Sequence, residues 1–264
     1  MLKKITIYPI KSCAGIDLPA SDVEARGFPL DRRWLIIEEN GTFISQRNAP
    51  QLGQIKISAT ENQLIINYMG KSPLIVDQST PSDKRIEAQI WKDSVQSLWL
   101  SSEYDAWFSE IIGRSVHLVQ MDKQVHRPLE KESLPAGRTF EVSFADGYPY
   151  LLTNQSSLDD LNDRLSQPIP MDRFRSNLVV CGFPAFTEDH WKRIRIGDVE
   201  FLVVKPCGRC QVTTIDQKTG ESSKEPLKTL ASYRKQNGKV MFGMNLVALS
   251  EGRIKINTPV HILE

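Results

Sequence analysis

Lys205-Pro206-Cys207-Gly208-Arg209-Cys210-Gln211-Val212-Thr213-Thr214 sets two thiols three residues apart around a guanidinium. Val199 to Val204 before it is apolar and β-branched, and Gln211 to Ile215 has the same character, so the segment reads as a strand continuing past both cysteines. A thiol near a fixed positive charge ionises more readily, and the thiolate is the form that binds metal or attacks. Structural zinc would need a second ligand pair, but Cys13, Cys181, His117, His126, His190 and His261 are isolated. A thioredoxin-type dithiol should open a helix after a strand, which the β-branched run after Cys210 opposes. One thiolate acting alone remains, as metal ligand or nucleophile, and it suits a thiophilic metal rather than magnesium or calcium.

Outward from this segment, short apolar runs alternate with turn signals. Ile5 and Ile7 alternate with Lys4 and Thr6; Trp34 to Ile37, Glu39-Asn40-Gly41 and Thr42-Phe43-Ile44 form a hairpin signature. Gln63 to Tyr68, Ser94 to Leu100, Asn177 to Val180, Val240 to Phe242, Leu246 to Leu249 and Val260 to Leu263 read as further strands, with a tight turn at Gly197-Asp198. Three helices are expected. Tyr104, Trp107, Phe108, Ile111 and Ile112 lie on one face between a Ser101 or Ser102 cap and Gly113. Leu158, Leu161 and Leu165 follow a Ser156 or Ser157 cap, with Asp159 and Asp160 in the first turn. Pro226 opens the third at its first position, and Gly238 stops it after Arg234.

Many short strands with regular turns point to a barrel or sandwich, an α+β chain that is predominantly β. The stretch from Asp122 to Thr139 is polar (Lys123, Gln124, His126, Arg127, Glu130, Lys131, Glu132) and interrupted by Pro128, Pro135 and Gly137. It reads as a linker between a domain at 1–122 and another at 123–264.

The 264 residues, 40% hydrophobic and 25% charged, suit a globular chain of one large or two modest domains. A net charge of +1 gives no global pull toward nucleic acid or a membrane surface. The N-terminus lacks the apolar core of a signal peptide, and no apolar run reaches the roughly 18–20 residues of a membrane span. Four cysteines imply no disulfide framework, and a cytoplasmic setting is expected.

Any anion site must therefore be local. Tyr8-Pro9-Ile10-Lys11-Ser12-Cys13-Ala14-Gly15 breaks a strand at Pro9 and presents an ammonium and a hydroxyl, donors that suit a phosphate or another oxyanion. It lacks Walker spacing, so no ATP site is read. Asp31-Arg32-Arg33-Trp34 and Ser45-Gln46-Arg47 put arginines at strand ends, and Asp31 can simply pair with Arg32. Asp172-Arg173-Phe174-Arg175-Ser176-Asn177 places Arg and Asn ahead of a strand. Singly, such residues are ordinarily solvated surface charges; together Lys11, Arg32 and Arg175 suit a bidentate anion cradle.

These segments also carry a resemblance. Tyr8 to Cys13, Asp31 to Trp34, Phe144-Ala145-Asp146-Gly147-Tyr148-Pro149-Tyr150, Phe174 to Asn177 and Trp191 to Asp198 follow in one order. Cys207 to Cys210 with Thr213-Thr214, Gly220, Glu225-Pro226-Leu227 with Thr229-Leu230, and Phe242-Gly243 complete it. The chain resembles the MOSC-domain family (molybdenum cofactor sulfurase C-terminal type), in the branch of the mitochondrial amidoxime-reducing components and their bacterial relatives. The resemblance implies a β-rich N-terminal domain packed on a MOSC β-barrel, and a molybdenum–molybdopterin cofactor. It implies Cys210 as the catalytic residue and protein ligand to molybdenum, with Cys207 a packing or supporting thiol. Cofactor anchoring would fall on Lys11, Ser12, Arg32, Asp146, Tyr148, Arg175, Asn177, Gly208, Arg209 and Asn245. Gly208 stands where many members have Ser, and Asn245 where the mitochondrial proteins have Tyr. The implied activity is reduction of N-hydroxylated compounds such as hydroxylamino-purines and amidoximes. No four-cysteine iron–sulfur motif is present, so a separate electron donor is expected: a flavoprotein reductase, a ferredoxin or a cytochrome b5-like protein. The alternatives are a sulfur carrier, with a persulfide on Cys207 or Cys210, and a non-catalytic cofactor carrier.

Overall fold

The computed structural model describes residues 1–79, 83–129, 134–135 and 137–264; Glu130, Lys131 and Glu132 of the expected linker lie outside the described residues. The first half supplies strands β1 (Leu2–Ile7), β2 (Ile16–Leu18), β3 (Ala20–Val23), β4 (Trp34–Ile37), β5 (Lys56–Ala59), β6 (Gln63–Asn67), β7 (Leu74–Asp77), β8 (Arg85–Ile90), β9 (Asp93–Trp99) and β10 (His117–Met121), with helix α1 (Ser102–Ile112). The second supplies β11 (Tyr150–Asn154), β12 (Leu178–Val180), β13 (Arg193–Ile196), β14 (Val199–Arg209), β15 (Lys235–Gln236), β16 (Lys239–Ala248), β17 (Gly252–Lys255) and β18 (Val260–Ile262), with helices α2 (Gln155–Arg164) and α3 (Leu227–Tyr233). The chain is strand-rich, a β-dominated α+β fold with short helices. Among the described residues no helix is long and apolar enough to cross a membrane.

The largest sheet runs β18-β13-β14-β16-β11-β12-β1-β2, with β15 paired to β16. Its far end comes from the start of the chain: β1 pairs antiparallel with β12 through Ile5 opposite Leu178, and β2 pairs with β1. β3 pairs with β17, Ser21 opposite Ile254. The first 23 residues thus join the sheets of the second half. The rest of the first half makes two further sheets, β4-β10-β9-β8 and β5-β6-β7. All four residues of β4 are buried, as a continuous apolar run requires. The backbone of Lys11 donates to Trp34 O at 2.9 Å, so β4 fixes the loop after β1.

Several local expectations are corrected. The residues after Cys210 do not continue the strand: Gln211–Thr214 form a 3-10 turn with Cys210 at its N-cap. Thr213 donates to Cys210 O through both its backbone N (3.1 Å) and its hydroxyl (2.9 Å), and Thr214 Oγ1 donates to Gln211 O at 2.7 Å. Local hydroxyl bonds of this kind compete with a sheet ladder. Asn154, not Ser156 or Ser157, caps α2; Ser157 instead donates to Glu188 Oε1 at 2.7 Å. Consequently α2 starts earlier and has no acidic residue in its first turn. Pro226 is the N-cap of α3, Arg234 its C-cap, and Gly238 belongs to the β15–β16 hairpin. Asn237 and Gly238 both have positive φ (48° and 77°), the conformation of an Asn-Gly hairpin turn.

Val240 to Phe242 and Leu246 to Leu249 are not two strands; all but Leu249 lie within β16. Gly243 joins them at φ +75°, where a Cβ would sit 2.6 Å from Leu152 O. The Glu39-Asn40-Gly41 hairpin forms, with Ile44 N on Ile36 O at 2.8 Å, and Ser101 and Gly113 cap α1 as expected.

Candidate functional site

One cleft of about 170 Å³ is lined by Lys11 and Ser12 after β1, Arg32 before β4, and Asp146 and Tyr148 before β11. Arg175 and Asn177 before β12, Gly208, Arg209 and Cys210 at the end of β14, and Asn245 on β16 complete it. Every residue put forward from the sequence for cofactor or metal therefore meets there. The β1–β12 and β14–β16 pairings do the gathering, since they lay three of these loops side by side.

The cations differ in how far they are already engaged. Lys11 is only 7% exposed and donates to Phe144 O (2.7 Å) and Asp146 Oδ1 (2.6 Å). Burial pushes its ammonium pKa down, with Asp146 opposing. Crowding by the cleft walls disfavours the Asp146 carboxylate, but Lys11 outweighs it and holds the group below the usual carboxylate range. The side chain of Asp146 remains 68% exposed.

Arg32 is more fully tied. Its Nη1 donates to both oxygens of the wholly buried Asp31 (2.8 and 2.7 Å) and to Asn177 Oδ1 (3.0 Å), and Nη2 donates to Arg175 O (3.2 Å). The pair suggested by the adjacency of Asp31 and Arg32 exists, and its structural use is to fix the Arg175 loop. Asn177 is likewise spent on the frame, accepting from Leu151 N and donating to Thr6 O.

Arg175 is the exception. It sits in the left-handed region at φ +53° with its guanidinium 4.3 Å from the Tyr8 ring centroid. Its Nη1 and Nη2 are both buried without a hydrogen-bond partner, as is Nε of Arg209. Buried charged donors without acceptors are costly, and Arg175 lines both this cleft and a neighbouring one bounded by Tyr8, Gly15 and Asp172.

Among the cysteines, Cys210 is exposed and Cys207 half-buried. Arg209 donates from Nη1 to Cys207 Sγ at 3.0 Å and from Nη2 to Phe174 O at 2.6 Å. Residues 207–209 are extended and Cys210 has φ −120°, ψ 178°. Three residues of such chain span roughly 10 Å, beyond disulfide reach. The dithiol reading therefore fails on geometry, although the continuing strand first held against it does not exist. Among the described residues no group of three or more His, Cys, Asp or Glu could hold a metal ion. A metal in this cleft would rest on one thiolate, with its other ligands brought by an organic group. A phosphate-bearing dithiolene cofactor fits that requirement and the unpaired guanidinium together.

The two positions that depart from the resemblance also accommodate it. A Cβ at Gly208 would meet only the flexible Lys239 side chain, at 3.2 Å. Asn245 Nδ2 donates to Lys205 O and Pro206 O (3.4 and 3.3 Å), holding β14 just ahead of Cys207. Phe43, Ser45 and Arg47 line the same cleft without having been singled out for the cofactor. The Ser45-Gln46-Arg47 arginine was visible, but nothing in its spacing tied it to residues 160 positions away.

Residues 1–115 match the MOSC N-terminal beta barrel domain and residues 139–261 the MOSC domain. Over 278 residues the chain is 32% identical to mitochondrial amidoxime reducing component 2 of Rattus norvegicus, covering 98% of this chain and 82% of that protein. The chain belongs to the MOSC-domain family. The human mitochondrial amidoxime reducing component 2 is 34% identical to this MOSC protein over 239 residues, covering 88% and 71% of the two chains. The molybdenum cofactor sulfurase of Oryza sativa is 34% identical over 272 residues, covering 93% of this chain but 32% of that longer protein.

Proposed function

We propose that this MOSC protein binds a molybdenum–molybdopterin cofactor through Cys210 and reduces N-hydroxylated compounds with electrons from a separate partner. The carrying observation is the exposed Cys210 thiol in one cleft with the buried, unpartnered guanidinium of Arg175. The similarity to amidoxime-reducing components supports the substrate class.

Arg175 and Arg209 supply charge-assisted donors for the cofactor's anionic end, with Ser12 and Lys11 beside them. Asp31, Arg32 and Asn177 keep the Arg175 loop in place. Cys210 is the protein ligand to the metal. The bound metal would supply two-electron chemistry: R–NHOH, two electrons and two protons give R–NH2 and water. The working domain division is 1–122 and 123–264, and the donor is of the flavoprotein, ferredoxin or cytochrome b5 kind.

Metal analysis and pterin fluorescence of protein made in a cofactor-competent host test the binding. Stoichiometric molybdenum and substrate-dependent reoxidation of a reduced donor are expected; protein from that host without molybdenum, or loaded protein that leaves the donor reduced, would overturn the reading. The Arg209–Cys207 contact favours one second reading, a sulfur carrier with a persulfide on Cys207. Sulfane sulfur trapped on that residue in metal-free protein would establish it.

A further inference from the structure

Arg127 falls in the polar stretch read from the sequence as a linker, yet it is only 6% exposed. Its guanidinium grips the backbone ahead of β11. Nη1 donates to Ser143 O at 2.8 Å and to Ala145 O at 2.6 Å. Nε and Nη2 both donate to Asp93 Oδ2, at 2.9 and 2.6 Å. A guanidinium is a rigid planar fork, so Asp93, at the start of β9, sets the direction of Nη1.

Lys11 holds the alternate residues. Its Nζ donates to Phe144 O at 2.7 Å and to Asp146 Oδ1 at 2.6 Å, and Trp91 Nε1 donates to the same Asp146 oxygen at 3.1 Å. Residues 143 and 145 are thus held by Arg127, 144 and 146 by Lys11. The amide of Phe144 also donates to Arg32 O at 3.0 Å. Ser143 and Phe144 are wholly buried, so a carbonyl released there loses a bond that water does not replace. Lys11 lines the cleft that holds Cys210, Arg127 lines a neighbouring cavity of about 470 Å³, and Asp146 and Gly147 line both. The segment is a partition gripped by two buried cations, one from each cavity. An ammonium has three N–H groups. Lys11 spends two on the segment, so the direction of the third depends on where the segment lies.

We propose that Arg127, oriented by Asp93, is a positioning residue for the Cys210 cleft. It fixes residues 143–146 and, through them, the Lys11 ammonium and the Asp146 carboxylate. This deepens the cofactor reading by naming a residue outside the cleft on which the cradle depends, and only the retention arm of its test rests on that reading.

Two variants test the grip, with circular dichroism checking the fold. Arg127→Lys keeps the charge and loses the fork. Asp93→Asn changes a side chain that is 43% exposed and leaves Arg127 in place with a weaker guide. In cofactor-free protein, amide hydrogen exchange at Phe144 should speed about tenfold in Arg127→Lys, the scale of one buried hydrogen bond. It should speed by less in Asp93→Asn, and exchange in β14 should stay unchanged in both. Lys11 should also be acetylated faster by acetic anhydride, in the same order. In loaded protein, pterin release followed by fluorescence should accelerate by a similar factor. Parent-like exchange at residues 143–146 in both variants overturns the proposal. So does exchange that speeds equally in β14, which would make Arg127 a general stabiliser of the fold. Faster local exchange with unchanged Lys11 acetylation, or with unchanged pterin release, overturns the link to the cleft. If the parent protein from a cofactor-competent host holds no pterin, the cofactor reading falls, while exchange and Lys11 acetylation still decide the positioning.

Discussion

Arg209 donates from Nη1 to the sulfur of Cys207 at 3.0 Å, whereas the Cys210 sulfur takes no hydrogen bond from any described residue. One guanidinium therefore divides a pair that looks symmetric in sequence. Cys207 lies within β14 and accepts from a charged donor of the same strand, and Cys210 follows at the N-cap of a 3-10 turn.

This division predicts opposite outcomes for the two thiols. Cys210→Ala should lose molybdenum, and Cys207→Ala should keep most of it, as read by metal analysis of both variants. In metal-free protein, iodoacetamide should modify Cys210 before Cys207 and leave buried Cys13 untouched; mass spectrometry of timed samples reads the order.

Arg175 should behave as a group kept for its ligand. Arg175→Met retains a stem to pack on Tyr8 and removes two buried donors that have no partner. Cofactor-free Arg175→Met should gain about 1–3 kcal/mol over the parent, while pterin retention collapses. Urea denaturation and pterin fluorescence check the two halves separately.

Gly243 should tolerate nothing larger. A methyl group there would meet Leu152 O at 2.6 Å and Thr153 Cγ2 at 2.7 Å, on a backbone with φ +75°. Gly243→Ala should cost about 2–4 kcal/mol, visible as a lowered melting temperature. The strain falls on β16 beside Asn245, so cofactor retention should decline with it.

Alkaline pH should destabilise the fold through two buried acids. Burial pushes the Cys13 thiol up to about 12. Burial likewise raises Tyr8 to about 12, against the pull of Arg175 and Arg32. For a group whose folded value is raised, the stabilisation is complete below its ordinary pKa and is lost as pH climbs toward the folded value. The window here opens near 9.0 for Cys13 and 10.0 for Tyr8 and closes near 12. Within it, each group should remove about 1.4 kcal/mol of stability per pH unit. Tyr8→Phe and Cys13→Ala should each flatten the decline, measured by denaturant titration from pH 8 to 11.

The sequence made the β-rich class legible because β4, β6 and β9 carry strong apolar patterns bounded by turns. It made the cleft legible because ordered segments, each weak alone, together matched a family. It misplaced what depends on competition among neighbours. The threonines after Cys210 look like strand formers, yet their hydroxyls bond back to the chain and curl it. Gly238 looked like a helix stop and belongs, with Asn237, to a hairpin turn. The contacts of Trp91 with Phe43, Arg47 and Asp146 were invisible because the partners come from other segments.

The pairing of β1 with β12 and of β3 with β17 has a consequence in time. During synthesis Lys11, Ser12 and Arg32 emerge early, but β12 and β17, which pair with β1 and β3, begin only at Leu178 and Gly252. The site cannot exist on a nascent chain; it closes only when nearly all of the polypeptide has left the ribosome. Under the proposed function, cofactor loading would follow synthesis. A chain cut between 122 and 139 should yield two pieces, each holding only part of the cleft lining and neither able to retain what the whole one binds.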